Sequence, residues 1–156
     1  MEKIKSFTVD HRKLTKGIYV SRIDGDIVTY DLRFCKPNSG TLLNNSTMHS
    51  VEHMMATILR NSAIKDDVIY FGPMGCQTGF YLLIRDKVTC QTVLGEVKKA
   101  LEGTIGYEGE MPGASEFECG NCANLDLNSA KAACIDYLNA IRDTTEIVDY
   151  DAVNAI

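Results

Sequence analysis

The sequence predicts an α+β protein in which an antiparallel sheet packs against helices. Short runs rich in β-branched and aromatic residues occur in pairs, and three longer runs carry apolar residues at helical spacing. The chain has 156 residues, of which 45% are hydrophobic and 24% charged. Because these values are typical of one globular domain with its own core, we treat residues 1–156 as a single domain.

Four strands are expected, in two pairs. They are residues 17–23, 26–35, 67–71 and 80–84. Asp24-Gly25 is a hairpin turn signal that joins the first pair, and a glycine-rich bend at 72–79 joins the second. Arg33 alternates with Leu32 and Phe34, so its side chain is expected on the opposite face of the sheet.

Three amphipathic helices are expected, at residues 46–61, 89–102 and 128–142. Ser46 is the predicted N-cap of the first helix. The predicted apolar stripe of the third helix is Ala132, Ile135, Leu138 and Ile141. Residues 6–11 are predicted to be extended, and the tail after Arg142 is weakly patterned.

Composition and charge exclude several classes of function. The formal net charge is −5 and no basic patch stands out, so we expect no nucleic-acid partner. No apolar run is long enough to span a bilayer, and the polar N-terminus lacks a signal core, so a cytoplasmic protein is expected. The six cysteines are then expected as free thiols or metal ligands, with Cys35, Cys90 and Cys134 buried.

The strongest chemical signal is the run HSVEH at residues 49–53. His49 and His53 share one helix face, with Cβ atoms roughly 6 Å apart, which suits two imidazoles on one divalent metal. Glu52 faces the same side, and the H-x-x-E-H arrangement is one in which two histidines bind zinc and the acid is a base. Such histidine pairs also occur as plain polar surface, but two of the three histidines of the chain lie here.

Cysteines are the candidates for a third ligand. Cys119 would complete a His-His-Cys set with one open position, which is the catalytic pattern. If Cys122 also bound, the site would be closed and structural. The C-x-x-C spacing suits a redox pair as well, although the βαβ context of thioredoxins is missing.

Three further side chains are candidates for catalysis or substrate binding. Cys76 lies between Gly75 and Gly79, where a tight bend would let the thiol project as a base or nucleophile; the alternative is a buried structural cysteine. His11 and Arg33 are candidates for holding a substrate hydroxyl or carboxylate, although a surface histidine and an internal ion pair explain them equally.

Five motifs in order resemble the S-ribosylhomocysteine lyase (LuxS) family. They are residues 6–11 (SFTVDH), 31–34 (DLRF), 49–53 (HSVEH), 73–79 (PMGCQTG) and 118–120 (ECG). The resemblance spans about residues 4 to 142. Where many members carry Asp-Ile-Ser before the PMGC motif, this chain has Tyr70, Phe71 and Gly72, so an acidic pocket residue is absent.

The resemblance implies a homodimer with active sites at the subunit interface. It implies one divalent metal per subunit, Fe(II) in the native enzyme and often zinc or cobalt after purification. The implied ligands are His49, His53 and Cys119, with Glu52 and Cys76 in acid/base positions. Ser6, His11 and Arg33 take the implied substrate-binding positions.

The implied reaction is the cleavage of S-ribosylhomocysteine to homocysteine and 4,5-dihydroxy-2,3-pentanedione, the precursor of autoinducer-2. It proceeds by carbonyl migration and β-elimination. Two alternatives remain from the residues alone. One is a metalloprotease of the inverted H-x-x-E-H type with Glu116 or Glu118 as third ligand, and the other is a zinc module closed by Cys122.

Overall fold

A computed structural model describes residues 1–156 and shows a single α+β domain. The strands are β1 (Gly17–Asp24), β2 (Ile27–Arg33), β3 (Val68–Pro73), β4 (Gly79–Arg85) and β5 (Val148–Asp149). The helices are α1 (Asn45–Leu59), α2 (Cys90–Ile105), α3 (Leu127–Ile141) and α4 (Tyr150–Asn154). Short 3-10 turns lie at Lys5–Phe7, Lys65–Asp67 and Cys122–Asn124. The four predicted strands and three predicted helices are therefore confirmed, with shifted ends.

The five strands form one sheet in the order β3-β4-β2-β1-β5. The β1–β2 hairpin turns at Gly25, which has φ +58° and follows Asp24, the residue that pairs with Ile27. The β2–β4 and β3–β4 pairs are also antiparallel, but β5 runs parallel to β1. The prediction of an antiparallel sheet is thus wrong at this edge. The chain reaches β5 through α3, and a helical crossover of this kind can return a strand in parallel.

The main core lies between the sheet and helices α1, α2 and α3. On β2 the alternate residues Val28, Tyr30 and Leu32 join this core, while Asp31 and Arg33 lie on the other face, as predicted for Arg33. From α1 the core receives side chains that include Val51, Met54, Met55 and Leu59, each fully buried.

Two local predictions about the helices are wrong. The N-cap of α1 is Asn44, whose side chain accepts a hydrogen bond from the Thr47 amide, and Ser46 lies inside the first turn. The buried face of α3 is formed by Ala130, Cys134, Tyr137 and Ile141. Ile135 of the predicted stripe is instead 47% exposed. The Tyr137 ring stacks on Phe34 with centroids 4.0 Å apart, and this contact sets the rotation of α3.

Both chain ends are more ordered than the sequence pattern indicates. Residues 6–11 are not extended, because a 3-10 turn occupies Lys5–Phe7. The weakly patterned tail forms β5 and α4, and its Tyr150 is only 1% exposed. Tyr150 packs with Val9, Leu14, Tyr19 and Val153 in a second, small core.

All six cysteines are free thiols. Cys35 and Cys134 are buried as predicted, but Cys90 is exposed, because it opens α2 at the surface. None of the helices combines the length and the apolar character that crossing a bilayer requires.

The Tyr150 hydroxyl donates to Asp31 Oδ2 at 2.6 Å in a buried setting. Burial, and then the nearby Asp31 carboxylate, raise the pKa of Tyr150 well above its usual value, so the hydroxyl keeps its proton. A hydrogen bond to a charged group contributes about 1.5–3 kcal/mol. We therefore expect Tyr150→Phe to lower the free energy of unfolding by about that amount in urea denaturation.

Tyr107→Phe is the matched control for this experiment. The Tyr107 hydroxyl donates to Glu110 O at an exposed position, and its loss should change stability by less than about 0.5 kcal/mol. Equal losses in the two variants would contradict the role assigned to Tyr150.

Candidate metal centre

The structure brings together the three residues predicted as metal ligands. His49 and His53 lie one turn apart on α1, with ring centroids 4.6 Å apart and planes at 90°. Cys119 comes from the loop before α3, and its Sγ lies 3.3 Å from His49 Nε2. The donor atoms of the three side chains all lie within 4.8 Å of one another, and each side chain is half-buried. A compact group of two nitrogens and one sulfur results.

Each imidazole is held by an oxygen on the side away from the group. His53 Nδ1 donates to Pro112 O at 2.9 Å, and His49 Nδ1 bonds to Asn124 Oδ1. The Asn124 amide nitrogen in turn donates to Asn45 Oδ1 at 2.6 Å, which fixes the orientation of the amide. Because the oxygens accept, both rings carry their proton on Nδ1 and leave Nε2 free for a metal.

Asn124 and Pro112 were missed in the sequence. Backbone carbonyls such as Pro112 O leave no sequence signal, and Asn124 lies outside any motif that marks ligands. Gly113 gives one local hint, since its φ is +71° and a Cβ there would lie 2.9 Å from His53 Nδ1. The glycine thus lets the backbone lie close against the His53 ring.

Hydrogen bonds within the loop hold the segment that carries Cys119 in place. The amides of Glu118 and Cys119 both donate to Ser115 O, at 3.1 and 3.0 Å. The Glu118 carboxylate accepts from the Ser115 hydroxyl at 2.6 Å. Asn121 donates its backbone N–H to Cys119 Sγ at 3.4 Å, which orients the sulfur. Glu118 is therefore engaged within its own loop.

The donor set fits a tetrahedral divalent ion such as zinc. Metal–nitrogen and metal–sulfur bonds of about 2.0 and 2.3 Å place neighbouring donors about 3.5 Å apart, close to the 3.3 Å between His49 Nε2 and Cys119 Sγ. Three protein donors leave a fourth position for water or substrate. Cys122, Glu116 and Glu118 are not members of the group. Neither the closed zinc module nor the protease-type acidic ligand is therefore favoured. Glu52, half-buried on α1, lies three residues from His49 and so on the same side of the helix.

A second cluster of predicted residues lines a separate cleft. His11, Arg33 and Cys76 border a cavity of about 370 Å³. Cys76 is exposed, so the alternative of a buried structural cysteine is wrong. Its Sγ lies 3.0 Å from Thr78 Oγ1 and 3.9 Å from Arg33 Nη1.

Arg33 is 2% exposed and is held by a buried carboxylate. Its Nε and Nη2 donate to the two oxygens of Asp31 at 3.1 and 2.5 Å, and its Nη1 donates to Thr78 Oγ1 at 2.8 Å. Burial alone would lower the pKa of Arg33, but the Asp31 carboxylate outweighs this effect and the pKa is raised. Arg33 therefore remains a cation and has only its Nη1 side free to face the cleft.

The bend that carries Cys76 is tight, but only one of the two glycines that flank this cysteine is required by the backbone geometry. A Cβ on Gly79 would lie 2.3 Å from Leu32 O, so this position requires glycine. Gly75 has open space around it, and Gln77 is the residue that adopts a positive φ, +65°. The bend therefore does not require glycine at position 75, and the prediction holds only for Gly79.

Ser6 lies apart from the other predicted substrate-binding residues. It borders a cavity of about 290 Å³ with Tyr81 and Thr29, whereas His11 and Arg33 border the Cys76 cleft. Neither cavity is lined by His49, His53 or Cys119. Within one chain, the predicted site is thus distributed over separate surfaces.

The fold and the donor set define a class of protein, namely α+β domains with a candidate His-His-Cys metal centre. The chain belongs to the S-ribosylhomocysteinase (LuxS) family, whose family model matches residues 4–147.

Three relatives show how far the similarity extends. The S-ribosylhomocysteine lyase of Finegoldia magna is 44% identical over 92% of this chain and 94% of its own. That of Clostridium beijerinckii is 42% identical over 90% and 92%, and that of Porphyromonas gingivalis is 40% identical over 96% and 99%. The similarity therefore covers more than nine-tenths of the length of each relative.

Asn124, which bonds to His49 on the side away from the metal group, gives a direct test of the metal centre. Loss of a hydrogen-bonding partner behind a metal-bound histidine typically weakens metal affinity 10- to 100-fold. We expect Asn124→Ala to raise the dissociation constant for zinc by about that factor in chelator competition. Asn139→Ala, which changes an exposed asparagine of α3, is the matched control and should bind zinc as the unmodified chain does. Unchanged affinity in Asn124→Ala would contradict the geometry.

Proposed function

We propose that this chain is a metal-dependent lyase that cleaves S-ribosylhomocysteine to homocysteine and 4,5-dihydroxy-2,3-pentanedione, the autoinducer-2 precursor. The observation that carries the proposal is the His49, His53 and Cys119 group. On a tetrahedral ion, three protein donors leave one position for substrate. Membership of the LuxS family and relatives named S-ribosylhomocysteine lyase support the substrate.

A bound divalent ion, Fe(II) in this proposal with zinc or cobalt as substitutes, would supply the Lewis acidity that makes a C–H bond beside the sugar carbonyl acidic. The residues of the chain then move the protons. In this proposal Glu52 and Cys76 take a proton from one carbon and return it to its neighbour, so the carbonyl migrates from C1 to C2 and then to C3.

The last step breaks the carbon–sulfur bond. With the ketone at C3, a basic side chain removes the proton from C4, and the electron pair expels the sulfur from C5 as a thiolate. The thiolate takes up a proton to become homocysteine. The second product rearranges to the five-carbon dione. No electron is gained or lost overall, so the chemistry requires proton transfer and charge stabilisation only.

Substrate contacts in the proposal follow from the polar groups of the Cys76 cleft. His11 borders the cleft directly, and its Nδ1 bonds to Val9 O at 3.0 Å, which leaves Nε2 for the substrate. Arg33 can reach the substrate only from Nη1, since its Nε and Nη2 already donate to the Asp31 carboxylate. Ser6 completes the proposed set from its own surface.

We propose a homodimer whose interface assembles these surfaces. Exposed apolar side chains flank each part of the predicted site: Phe7 follows Ser6, Leu42 borders the Cys76 cleft, and Phe117 precedes Cys119 by two residues. Phe117 is 99% exposed and Leu42 54% exposed. A second copy would bury these side chains and place its Cys76 cleft opposite the metal centre.

Glu52→Gln tests the proposed catalytic role. The amide keeps the size of the side chain but cannot accept a proton, so we expect homocysteine release to fall by about 10²- to 10⁴-fold. Zinc content should be unchanged, because Glu52 is not one of the three donors. The measurements are thiol release from S-ribosylhomocysteine and a metal count on the same anaerobic sample.

Glu102→Gln, at an exposed position of α2, is the matched control and should retain full turnover. Undiminished homocysteine release by Glu52→Gln would refute the catalytic role. A chain that binds zinc but turns over no substrate in its unmodified form would refute the lyase proposal as a whole.

The proposed interface can be tested by placing a charge on it. Phe117→Glu should shift the protein from dimer to monomer in sedimentation velocity, because an unpaired carboxylate would be buried at the interface. Ile135→Glu, on an exposed part of α3, should leave the dimer intact. A monomeric unmodified chain, or a Phe117→Glu variant that stays dimeric, would contradict the proposed arrangement.

A further inference from the structure

Cys122 lies three residues after Cys119 and takes no part in the chemistry proposed above. Gly120 and Asn121 between them form a turn, and Cys122 opens the 3-10 turn Cys122–Asn124. The first and fourth residues of such a turn have Cα atoms less than about 7 Å apart. Disulfides form at Cα separations of about 4.4–6.8 Å, and the upper bound that the turn sets lies close to the top of this range.

Both thiols are accessible from one cavity. Cys119, Gly120, Asn121 and Cys122 line an open pocket of about 390 Å³, and the two cysteines are half-buried. A Cβ added to Gly120 would meet nothing within 4 Å, so the turn has room to adjust. A small oxidant can therefore reach both sulfurs.

Cys122 is also free of the metal group. The group that places its donors within 4.8 Å of one another contains Cys119 but not Cys122. A thiol outside the donor set can be oxidised to a sulfenic acid, and the neighbouring Cys119 is then in the position of the resolving cysteine.

We propose that Cys119 and Cys122 form a reversible disulfide when the protein meets a peroxide, and that this disulfide removes the sulfur ligand from the metal centre. The inference rests on the proposed metal centre but not on the lyase reaction. It assigns Cys122 as a modification site, with hydroperoxides as the class of oxidant.

The steps balance as follows for hydrogen peroxide. The Cys122 sulfur attacks one peroxide oxygen, the O–O bond breaks, and a sulfenic acid and water result. The Cys119 sulfur then leaves the metal and attacks the sulfenic sulfur. The S–S bond forms, the S–O bond breaks, and the departing hydroxide takes up a proton to become a second water. The two sulfurs lose two electrons, and peroxide gains them.

The same disulfide would disturb a second ligand. The 3-10 turn that begins at Cys122 is closed by the Leu125 amide, which donates to Cys122 O at 3.2 Å. Asn124 of this turn holds His49 by its side chain. Movement of Cys122 towards Cys119 therefore shifts the residue that orients His49.

Zinc-loaded full-length protein treated with hydrogen peroxide tests the proposal without substrate. Cleavage after Lys99 and Lys131 releases the peptide 100–131, whose only cysteines are Cys119 and Cys122. We expect this peptide to lose two hydrogen atoms in mass, with the zinc released to a chromophoric chelator over the same time course. Dithiothreitol followed by zinc should restore both the peptide mass and the metal content.

Two variants make the test specific. Cys122→Ser should bind zinc as the unmodified chain does and, under the same peroxide dose, lose its zinc several-fold more slowly. Cys90→Ser removes an exposed thiol outside the centre and should behave like the unmodified chain.

Four outcomes would overturn the proposal. Zinc release with no loss of hydrogen from peptide 100–131 would show oxidation of Cys119 alone. Loss of zinc by untreated Cys122→Ser would make Cys122 a ligand. A chain that takes up no zinc would overturn the proposal together with the metal centre, whereas zinc uptake without a disulfide would overturn the proposal alone.

Discussion

Helix α1 must bury one face in the core while it holds two imidazoles at a fixed separation on another. Val51, Met55 and Leu59 are fully buried, which fixes the rotation of the helix and so the direction of His49 and His53. Hydrogen bonds from the two imidazoles to Asn124 Oδ1 and Pro112 O then fix each ring. The Cys119 sulfur therefore lies beside two imidazoles whose orientations are already fixed. Such preorganisation of the ligands favours tight binding of one small ion.

The buried Asp31 and Arg33 pair organises the other half of the proposed site. Burying two charges is costly unless their hydrogen bonds are satisfied, and here Asp31 also accepts from Tyr150 while Arg33 also donates to Thr78. The pair thereby connects α4 at one end of the chain with the turn that carries Cys76. The last helix, which is only weakly patterned in the sequence, thus holds the carboxylate that binds Arg33, a residue of the candidate substrate cleft.

The sequence predicted what depends on local spacing and missed what depends on tertiary contact. The α1 helix, the hairpin at Gly25 and the histidine pair follow from periodicity, turn chemistry and ligand chemistry. Residue chemistry left the third donor open, and the family resemblance implied Cys119. The stripe of α3 was misplaced because its rotation is set by Tyr137 stacking on Phe34, a contact between residues far apart in the chain. Asn124 and Tyr150 were missed for the same reason: each acts through a partner that only the fold brings near.

The account as a whole depends on a mononuclear centre with two nitrogen ligands, one sulfur ligand and one exchangeable position. X-ray absorption spectroscopy of the zinc-loaded, reduced protein measures this directly. We expect one sulfur at about 2.3 Å and three lighter atoms at about 2.0–2.1 Å, one of which is replaced when a substrate analogue is added. Two sulfurs in the first shell, or four ligands that do not change with the analogue, would contradict the account.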